Sequence, residues 1–206
     1  IIIPLEKLLS SNLEKGVKEE LELIHRNSET LLNEVNQLLD FRKLDQQKTQ
    51  LMLSHGNLSD FVKEVCGSFI PQAVKKGINI RLHINETKMD MDFDRNKIQR
   101  ILLNLLSNAV KYNYENGEVI VALDKITANG TENAQIQVAD TGIGIKDENK
   151  DKIFDRFFQE QHSTTTYIGN GIGLHIVKEY VTMHHGTITV ENHCLLYTSD
   201  AADEED

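Results

Sequence analysis

The sequence has few cysteines, no long apolar run and fewer basic than acidic residues. Two cysteines in 206 residues exclude a disulfide-held scaffold and a cysteine-rich zinc module. Lys and Arg number 22 against 32 Asp and Glu, and the formal charge of −10 argues against nucleic-acid binding. The apolar run Ile1–Ile3 is stopped by Pro4, well short of the ~18 residues of a membrane span. We therefore expect a globular segment that contacts neither nucleic acid nor membrane.

Neither end of the sequence has the pattern of a natural protein terminus. The ten residues from Cys194 to Asp203 match in order a translated transposase adapter from sequencing libraries, so we expect residues 194–206 to be an artefact. A genuine acidic tail is the alternative interpretation. The chain also starts without a methionine or a basic leader. We therefore expect an internal segment of a longer protein.

Residues 5–45 have the pattern of two helices. Leu5, Leu8 and Leu9 form one apolar stripe, and a polar break follows, with Gly16 as the predicted helix stop. The second helix repeats apolar residues at steps of three and four, namely Leu21, Ile24, Leu31, Val35 and Leu38. This heptad-like seam predicts a helical hairpin that forms half of a dimeric four-helix bundle. A hairpin folded onto its own domain is the alternative.

Residues 47–193 have the pattern of a mixed domain, in which one sheet is covered by helices. Strands are predicted at 51–53, 78–84, 89–93, 118–124, 134–139 and 187–191. Helices are predicted at 57–76, 94–112, 150–158 and 171–185, with a linker at 45–49 and a polar loop at 159–170. The predicted class is α+β, with a hairpin at 1–46, a second domain at 47–193 and the tail at 194–206.

The helix around residue 104 carries two amides and an ammonium on one side. At about 100° per residue, Asn104, Asn108 and Lys111 fall within an arc of about 60°. The opposite, core-facing arc holds Ile101, Leu102, Leu105 and Leu106. Amide oxygens suit Mg²⁺, and a lysine one turn later can meet phosphate. A solvated polar face is the alternative.

Two glycine-rich segments follow. Asp140-Thr141-Gly142-Ile143-Gly144 comes directly after a strand, where the glycines permit close backbone approach. The segment 169–174, Gly-Asn-Gly-Ile-Gly-Leu, opens a helix whose N–H groups and dipole attract an anion. It is neither a Rossmann fingerprint nor a Walker A loop. Each segment alone is also compatible with an ordinary turn or helix cap.

In this order, the motifs resemble those of the ATP-binding domain of sensor histidine kinases. The N box of that family matches Asn104, Asn108, Lys111 and Tyr112, and its first glycine box matches Asp140, Gly142 and Gly144. Its F box matches Phe154, Phe157 and Phe158, and its second glycine box matches Gly169, Gly171, Gly173 and Leu174. The resemblance covers residues 5–193, because the hairpin is similar to the dimerisation and histidine-phosphotransfer domain. The segments 38–44 and 180–186 are similar to hybrid two-component sensors.

The resemblance implies an α/β sandwich of the histidine kinase ATPase (GHKL or Bergerat) type that binds ATP and Mg²⁺. Asp140 would bind the adenine amine, and Gly142, Gly144 and Ile145 would shape the purine pocket. Asn108, helped by Asn104, would hold Mg²⁺, with Lys111 and Tyr112 near the phosphates and adenine. Residues 159–170 would form a lid anchored by Phe154 and Phe157. The glycines 169, 171 and 173 and Leu174 would bind phosphate.

The implied activity is transfer of the ATP γ-phosphate to a histidine and onward to a response regulator receiver domain, by a homodimer. Related gyrase-type and MutL-type ATPases carry a Glu where this chain has Asn104. Because an amide cannot act as a general base, transfer is favoured over hydrolysis. The alternatives are an ATP-binding regulator without transfer and a GHKL ATPase or serine kinase.

The phosphate acceptor is not evident in the sequence. None of the eight histidines lies in the His-Glu/Asp-x-Arg/Lys-Thr/Ser-Pro context of the family, and His25 is on the second helix. We expect the acceptor to precede Ile1, so that this segment alone does not autophosphorylate. The resemblance further implies the cytoplasmic portion of an inner-membrane sensor.

Overall fold

The computed structural model describes residues 2–9, 14–45, 50–128, 130–159 and 170–192. Two helices come first, α1 (Ile2–Leu9) and α2 (Lys15–Asp45). The remaining elements in chain order are β1 (Ser54–Asn57), α3 (Leu58–Val74), β2 (Asn79–Ile84), β3 (Asp90–Phe93), α4 (Arg95–Lys111), β4 (Glu118–Ala128), β5 (Thr131–Asp140), a 3₁₀ turn (Asp147–Asn149) and α5 (Gly173–Met183). The predicted α+β class is confirmed.

The helices α1 and α2 lie against each other as a hairpin. The prediction that Gly16 ends the first helix is wrong, because Gly16 lies in the first turn of α2. The apolar side chains of Leu31, Val35 and Leu38 are about half exposed, at 62%, 45% and 48%. By contrast, Phe41 and Leu44 near the end of α2 pack against the following domain. The helix therefore has an uncovered apolar stripe and a docked end.

The strands form two sheets rather than the one sheet predicted. β1 pairs antiparallel with β3, from Ser54 opposite Phe93 to Asn57 opposite Asp90. In the second sheet, β2 runs parallel to β4, and β4 forms an antiparallel hairpin with β5. The strand predicted at 51–53 is wrong, because the Met52 N–H donates to the Asp94 side chain at 2.9 Å instead of entering a ladder.

Two apolar clusters lie on either side of α4. The larger contains Leu102 and Leu106 and joins α3 and α4 to the strands. The smaller contains Ile101 and joins α4 to α5 through Ile172, Ile176, Val177 and Tyr180. Asp94 caps α4 by accepting the Lys97 N–H at 3.1 Å, as the predicted helix start requires. Buried apolar residues thus hold α4 between two layers.

Two further predictions of secondary structure are wrong. Residues 150–158 form successive turns, such as Lys152 N–H to Asn149 O at 2.8 Å, rather than a short helix. Residues 187–191 form no strand, and the neighbouring Asn192 side chain bonds to a loop backbone. The predicted linker, loop and tail lie wholly or largely outside the described residues, at 46–49, 160–169 and 193–206. Among the helices that the structure describes, none is long and apolar enough to cross a membrane.

Candidate nucleotide-binding site

The polar stripe of α4 lies on the side of the helix away from its buried residues. Asn104, Asn108 and Lys111 are half-buried, whereas Leu102 and Leu106 are completely buried. The Lys111 Nζ lies 5.0 Å from the centre of the Tyr112 ring, so the ammonium sits over an aromatic face at the end of α4. The stripe therefore presents two amides and a cation in the geometry predicted from the sequence.

The side chain of Asn104 has a defined orientation. Its Nδ2 donates to the Arg100 carbonyl at 3.0 Å, and its Oδ1 accepts from Gln37 Nε2 at 3.3 Å. A β-carbon added at Gly173 would lie 3.0 Å from this Oδ1, so the amide lies against the first residue of α5. Gly173 thereby brings the start of α5 onto the polar stripe of α4.

The Asp140 turn lies against the C-terminal end of α4. The Ile143 N–H donates to the Tyr112 carbonyl at 3.1 Å. A β-carbon at Gly142 would overlap that carbonyl oxygen and would lie 2.7 Å from Asp140 Oδ1, so the position requires glycine. The predicted N box and first glycine box are thus in direct backbone contact, although about thirty residues separate them in the chain.

The Asp140 carboxylate is oriented by its own turn. Its Oδ1 accepts the Gly142 N–H at 2.9 Å. Partial burial raises the pKa of the Asp140 carboxyl above its usual value, and the hydrogen bond from Gly142 opposes that rise. A carboxylate has about four acceptor positions, so it can still accept a hydrogen bond from an exocyclic amine.

Polar side chains that were not predicted hold this turn in place. Thr141 Oγ1 donates to Asn113 Oδ1 at 3.0 Å and accepts the Glu118 N–H at 2.8 Å. Asn192 accepts the Ile145 N–H at 3.0 Å and donates to the Ile145 carbonyl at 2.6 Å. Gly144, with φ of 68°, lets the chain reverse between these anchors. Asn113 and Thr141 adjoin predicted motifs, but no sequence signal marked Asn192.

The second glycine segment contacts the F box. Gly171 has φ of 64°, and a β-carbon there would lie 2.7 Å from the Phe157 carbonyl carbon and the Phe158 oxygen. The Phe157 N–H donates to the Gly171 carbonyl at 3.0 Å. Asn170 Oδ1 accepts the Ile172 N–H at 3.1 Å, and Leu174 is half-buried. The chain segments before and after 160–169 are therefore joined, while Gly169 lies outside the described residues.

The two predicted anchoring phenylalanines differ in environment. Phe154 is buried, and its carbonyl lies 3.2 Å from His175 Nδ1 of α5. Phe157 is 59% exposed and meets the Phe41 ring of α2 edge-on, with 5.6 Å between ring centres. Phe157 therefore contacts the hairpin, whereas Phe154 belongs to the domain interior.

The side-chain oxygens of Asn104 and Asn108 suit a hard divalent cation that phosphate oxygens also coordinate. In the part of the chain that the structure describes, no group of three His, Cys, Asp or Glu side chains could hold a metal. The half-buried Asn104 and Asn108 amides lie one turn apart on α4. Mg²⁺ takes few protein oxygens and completes its shell with water and phosphate oxygens. These residues therefore fit Mg²⁺ bound with a nucleotide better than a metal held by protein alone.

Comparisons with known proteins identify the family. Residues 93–201 match the family described as histidine kinase-, DNA gyrase B- and HSP90-like ATPases, which is more than half of the chain. The chain belongs to this family. The resemblance to sensor histidine kinases that the four motifs predicted is confirmed. The match ends inside the segment 194–206, whose interpretation as adapter sequence stays a prediction.

Relatives of this chain include histidine kinases. Hybrid signal transduction histidine kinase D of Dictyostelium discoideum is 38% identical over 93% of this chain, which covers 13% of that protein. Full-length ShkA, crystallised with AMPPNP, is 26% identical with a TM-score of 0.72 over 93% of this chain and 41% of ShkA. Histidine kinase ThkA, in complex with response regulator protein TrrA, shares the fold at 23% identity and a TM-score of 0.65, over 93% of this chain and 52% of ThkA. This chain thus spans between 13% and 52% of the length of these three relatives.

Proposed function

We propose that this segment is the ATP-binding catalytic core of a sensor histidine kinase, which transfers the γ-phosphoryl group of ATP to a histidine. The observation that carries the proposal is the contact between the Asp140 turn and the end of α4, where Ile143 N–H donates to the Tyr112 carbonyl. It unites an adenine-binding carboxylate with the Asn and Lys stripe. Membership of the ATPase family and the histidine kinase relatives support it.

Each site residue has a proposed role in holding the nucleotide. Asp140 accepts a hydrogen bond from the adenine amine, and Gly142, Gly144 and Ile145 line the purine. Asn108 and Asn104 hold Mg²⁺, which supplies charge neutralisation at the phosphates. Lys111 meets the phosphates beside Tyr112. Gly171, Gly173 and Leu174 offer backbone N–H groups to the terminal phosphates, and the same role is proposed for Gly169. Phe157 is the proposed anchor of the predicted loop 159–170.

The residue at position 104 favours phosphoryl transfer over ATP hydrolysis. Asn104 stands one turn before Asn108. A neutral amide cannot accept a proton from water near neutral pH, so no general base stands at this position. Phosphoryl transfer needs mainly positioning and charge stabilisation, which the stripe and the glycine turns provide.

The acceptor histidine is proposed to precede Ile1 on the first helix of the hairpin. His25 lies on α2, where its Nδ1 is 3.6 Å from a carboxylate oxygen of Glu29 and 20% of its side chain is exposed. Because none of its histidines lies in the acceptor motif, the 206-residue chain should bind Mg·ATP without phosphorylating itself. The proposed receiver of the phosphoryl group is a response regulator domain, and the TrrA complex of ThkA supports that type of partner.

Two properties of the longer protein are also proposed. The exposed stripe of Leu31, Val35 and Leu38 favours a homodimer, because pairing two hairpins would bury it in a four-helix bundle. The complete protein is proposed to be an inner-membrane sensor with this segment on the cytoplasmic side. Membrane fractionation of the full-length gene product tests that location.

The experiment that tests the function has two stages. Calorimetric titration of the segment with Mg·ADP should give saturable binding that Asp140→Ala weakens at least about tenfold. Radiolabelled ATP is then added with a longer copy that carries the upstream histidine but has Asn108→Ala. We expect the radiolabelled phosphoryl group to appear on the histidine of the longer copy. Nucleotide binding without any labelled histidine would instead favour a regulator that does not transfer phosphate.

A further inference from the structure

One side chain of the hairpin reaches into the proposed nucleotide site. Gln37 of α2 donates from Nε2 to Asn104 Oδ1 at 3.3 Å. Its Oε1 accepts from Asn170 Nδ2 at 2.9 Å. The Gln37 amide therefore connects the polar stripe of α4 to the turn that precedes α5.

The Asn104 oxygen that Gln37 engages is the atom proposed to face Mg²⁺. Asn104 Nδ2 donates to the Arg100 carbonyl at 3.0 Å, which fixes which end of the amide points toward Gln37. An amide oxygen that accepts an N–H from Gln37 is a weaker ligand, because its hydrogen-bond partner must be displaced before a cation can take that direction. In this arrangement, α2 and the cation compete for one atom.

The contact belongs to a docked face of α2. Asp40 pairs with Arg100 at 3.2 Å, and the Phe41 ring meets Phe157 edge-on at 5.6 Å between centres. These two residues lie three and four positions after Gln37, on the same side of the helix. Because Asn170 also accepts the Ile172 N–H at 3.1 Å, the Gln37 amide is tied to the backbone that enters α5.

We propose that Gln37 is an autoinhibitory contact, through which the docked hairpin helix lowers the affinity of the site for Mg·nucleotide. The inference rests on the proposed function. Withdrawal of α2 frees Asn104 Oδ1 and the turn before α5, so the cation-dependent part of nucleotide binding increases. By thermodynamic reciprocity, Mg·nucleotide must weaken the docking of α2 by the same factor. The position of the hairpin thereby regulates the nucleotide site.

The test compares ADP binding by the 206-residue chain with Mg²⁺ and with EDTA. The measured quantity is the ratio of the dissociation constant in EDTA to that in Mg²⁺. Gln37→Ala should raise this ratio about three- to tenfold, the factor expected for one amide hydrogen bond in competition with water. Asn27→Ala, at an exposed position of α2, is the matched control and should leave the ratio unchanged. Gln37→Leu, which keeps the side-chain volume, should reproduce the effect.

Two further measurements separate regulation from a general structural effect. In an Asn104→Ala background, Gln37→Ala should no longer change the ratio, since the contested oxygen is absent. In the unaltered chain, Mg·ADP should speed hydrogen exchange of the backbone amides of residues 37–45. If the ratio of dissociation constants in Gln37→Ala and Gln37→Leu is equal to or below that in Asn27→Ala, the inference is overturned. The proposed nucleotide binding is not affected by that result. Absence of ADP binding by the unaltered chain overturns the proposed function and the inference together.

Discussion

At Gly142 the backbone of the Asp140 turn lies against the Tyr112 carbonyl, with no space for a side chain. The contact is between two backbone segments, so no rotamer change can relieve an added methyl group. The proposed nucleotide site depends on this approach, because it sets the distance between Asp140 and the polar stripe of α4.

Gly142→Ala should therefore weaken Mg·ADP binding at least about tenfold, since the turn must move away from α4. The matched control is Gly67→Ala in α3, where an added β-carbon meets nothing within 4 Å. That control should retain binding and stabilise the helix by about 1 kcal/mol. Calorimetry and urea unfolding measure both effects. Equal affinity in the two variants would show that the turn tolerates a side chain.

Asp94 is a residue whose charge stabilises the fold. The side chain is 2% exposed; it bonds to Lys97 Nζ at 2.6 Å and accepts the backbone N–H groups of Met52 and Lys97. Burial raises the pKa of Asp94, but these hydrogen bonds and the Lys97 charge outweigh burial, and the net shift is downward. Because the pKa is lower in the folded chain, the stabilisation is present above the unfolded pKa of about 3.9. It is lost as the pH falls through the folded pKa.

Asp94→Asn should accordingly lower the free energy of unfolding at pH 7, on the order of 3 kcal/mol, since it leaves the buried Lys97 without its carboxylate. The loss of stability on acidification below pH about 4 should be smaller in the variant than in the unaltered chain. Urea unfolding at several pH values tests both statements. Asp92→Asn, on an exposed strand residue, provides the comparison. Parallel acid profiles for Asp94→Asn and the unaltered chain would contradict the assignment.

At the scale of elements, α5 depends on one buried side of the helix. Ile176 and Val177 are 1% and 0% exposed and pack with Ile101 of α4, whereas Lys178 faces solvent. The Gly173 end of this helix contacts Asn104. Packing between α4 and α5 therefore holds the second glycine segment in position.

Ile176→Ala should lower the free energy of unfolding by about 2–5 kcal/mol, because it removes buried methyl groups and leaves a cavity. Lys178→Ala is the matched control on the exposed side and should change stability by less than about 0.5 kcal/mol. Denaturant unfolding followed by circular dichroism gives both values. A loss below 1 kcal/mol for Ile176→Ala would mean that α5 is not held by this cluster.

At the scale of the whole molecule, the hairpin combines a docked end with an uncovered stripe. Phe41 and Leu44 pack on the ATPase domain, whereas Leu31 and Val35 remain 62% and 45% exposed. We propose that this apolar stripe is an interaction surface. A second copy is the partner that the heptad-like seam predicts.

A double substitution, Leu31→Glu with Val35→Glu, should convert a dimer into a monomer, because two like charges per chain would face their counterparts across the seam. The molar mass from size-exclusion chromatography with light scattering should fall by half. Asn27→Glu, an exposed polar position of α2, should leave the mass unchanged. A monomeric mass for the unaltered chain at high concentration would contradict the dimer proposed for this segment.

Local patterns predicted much of this molecule. The alternation in 78–84 predicted β2, and the capping residue Asp94 with the spacing after it predicted α4 and its polar stripe. The strand at 51–53 and the helix at 150–158 were wrong, because hydrogen bonds to distant groups and successive tight turns replaced the regular patterns. Short segments of this kind are decided by tertiary partners rather than by periodicity.

The sequence by itself determined the class of fold and the four motifs, because periodicity and glycine requirements are local and persist in the linear chain. The family was predicted from the resemblance of those motifs, in their order, to sensor histidine kinases. Only the tertiary structure decided which residues meet. The Asn192 side chain bonds to Ile145, which lies 47 positions away in the chain. The Gln37 side chain bonds to Asn104 and to Asn170, which lie 67 and 133 positions away. No local pattern encodes such contacts, since they depend on how layers of the fold pack. That packing connects the hairpin to the proposed nucleotide site.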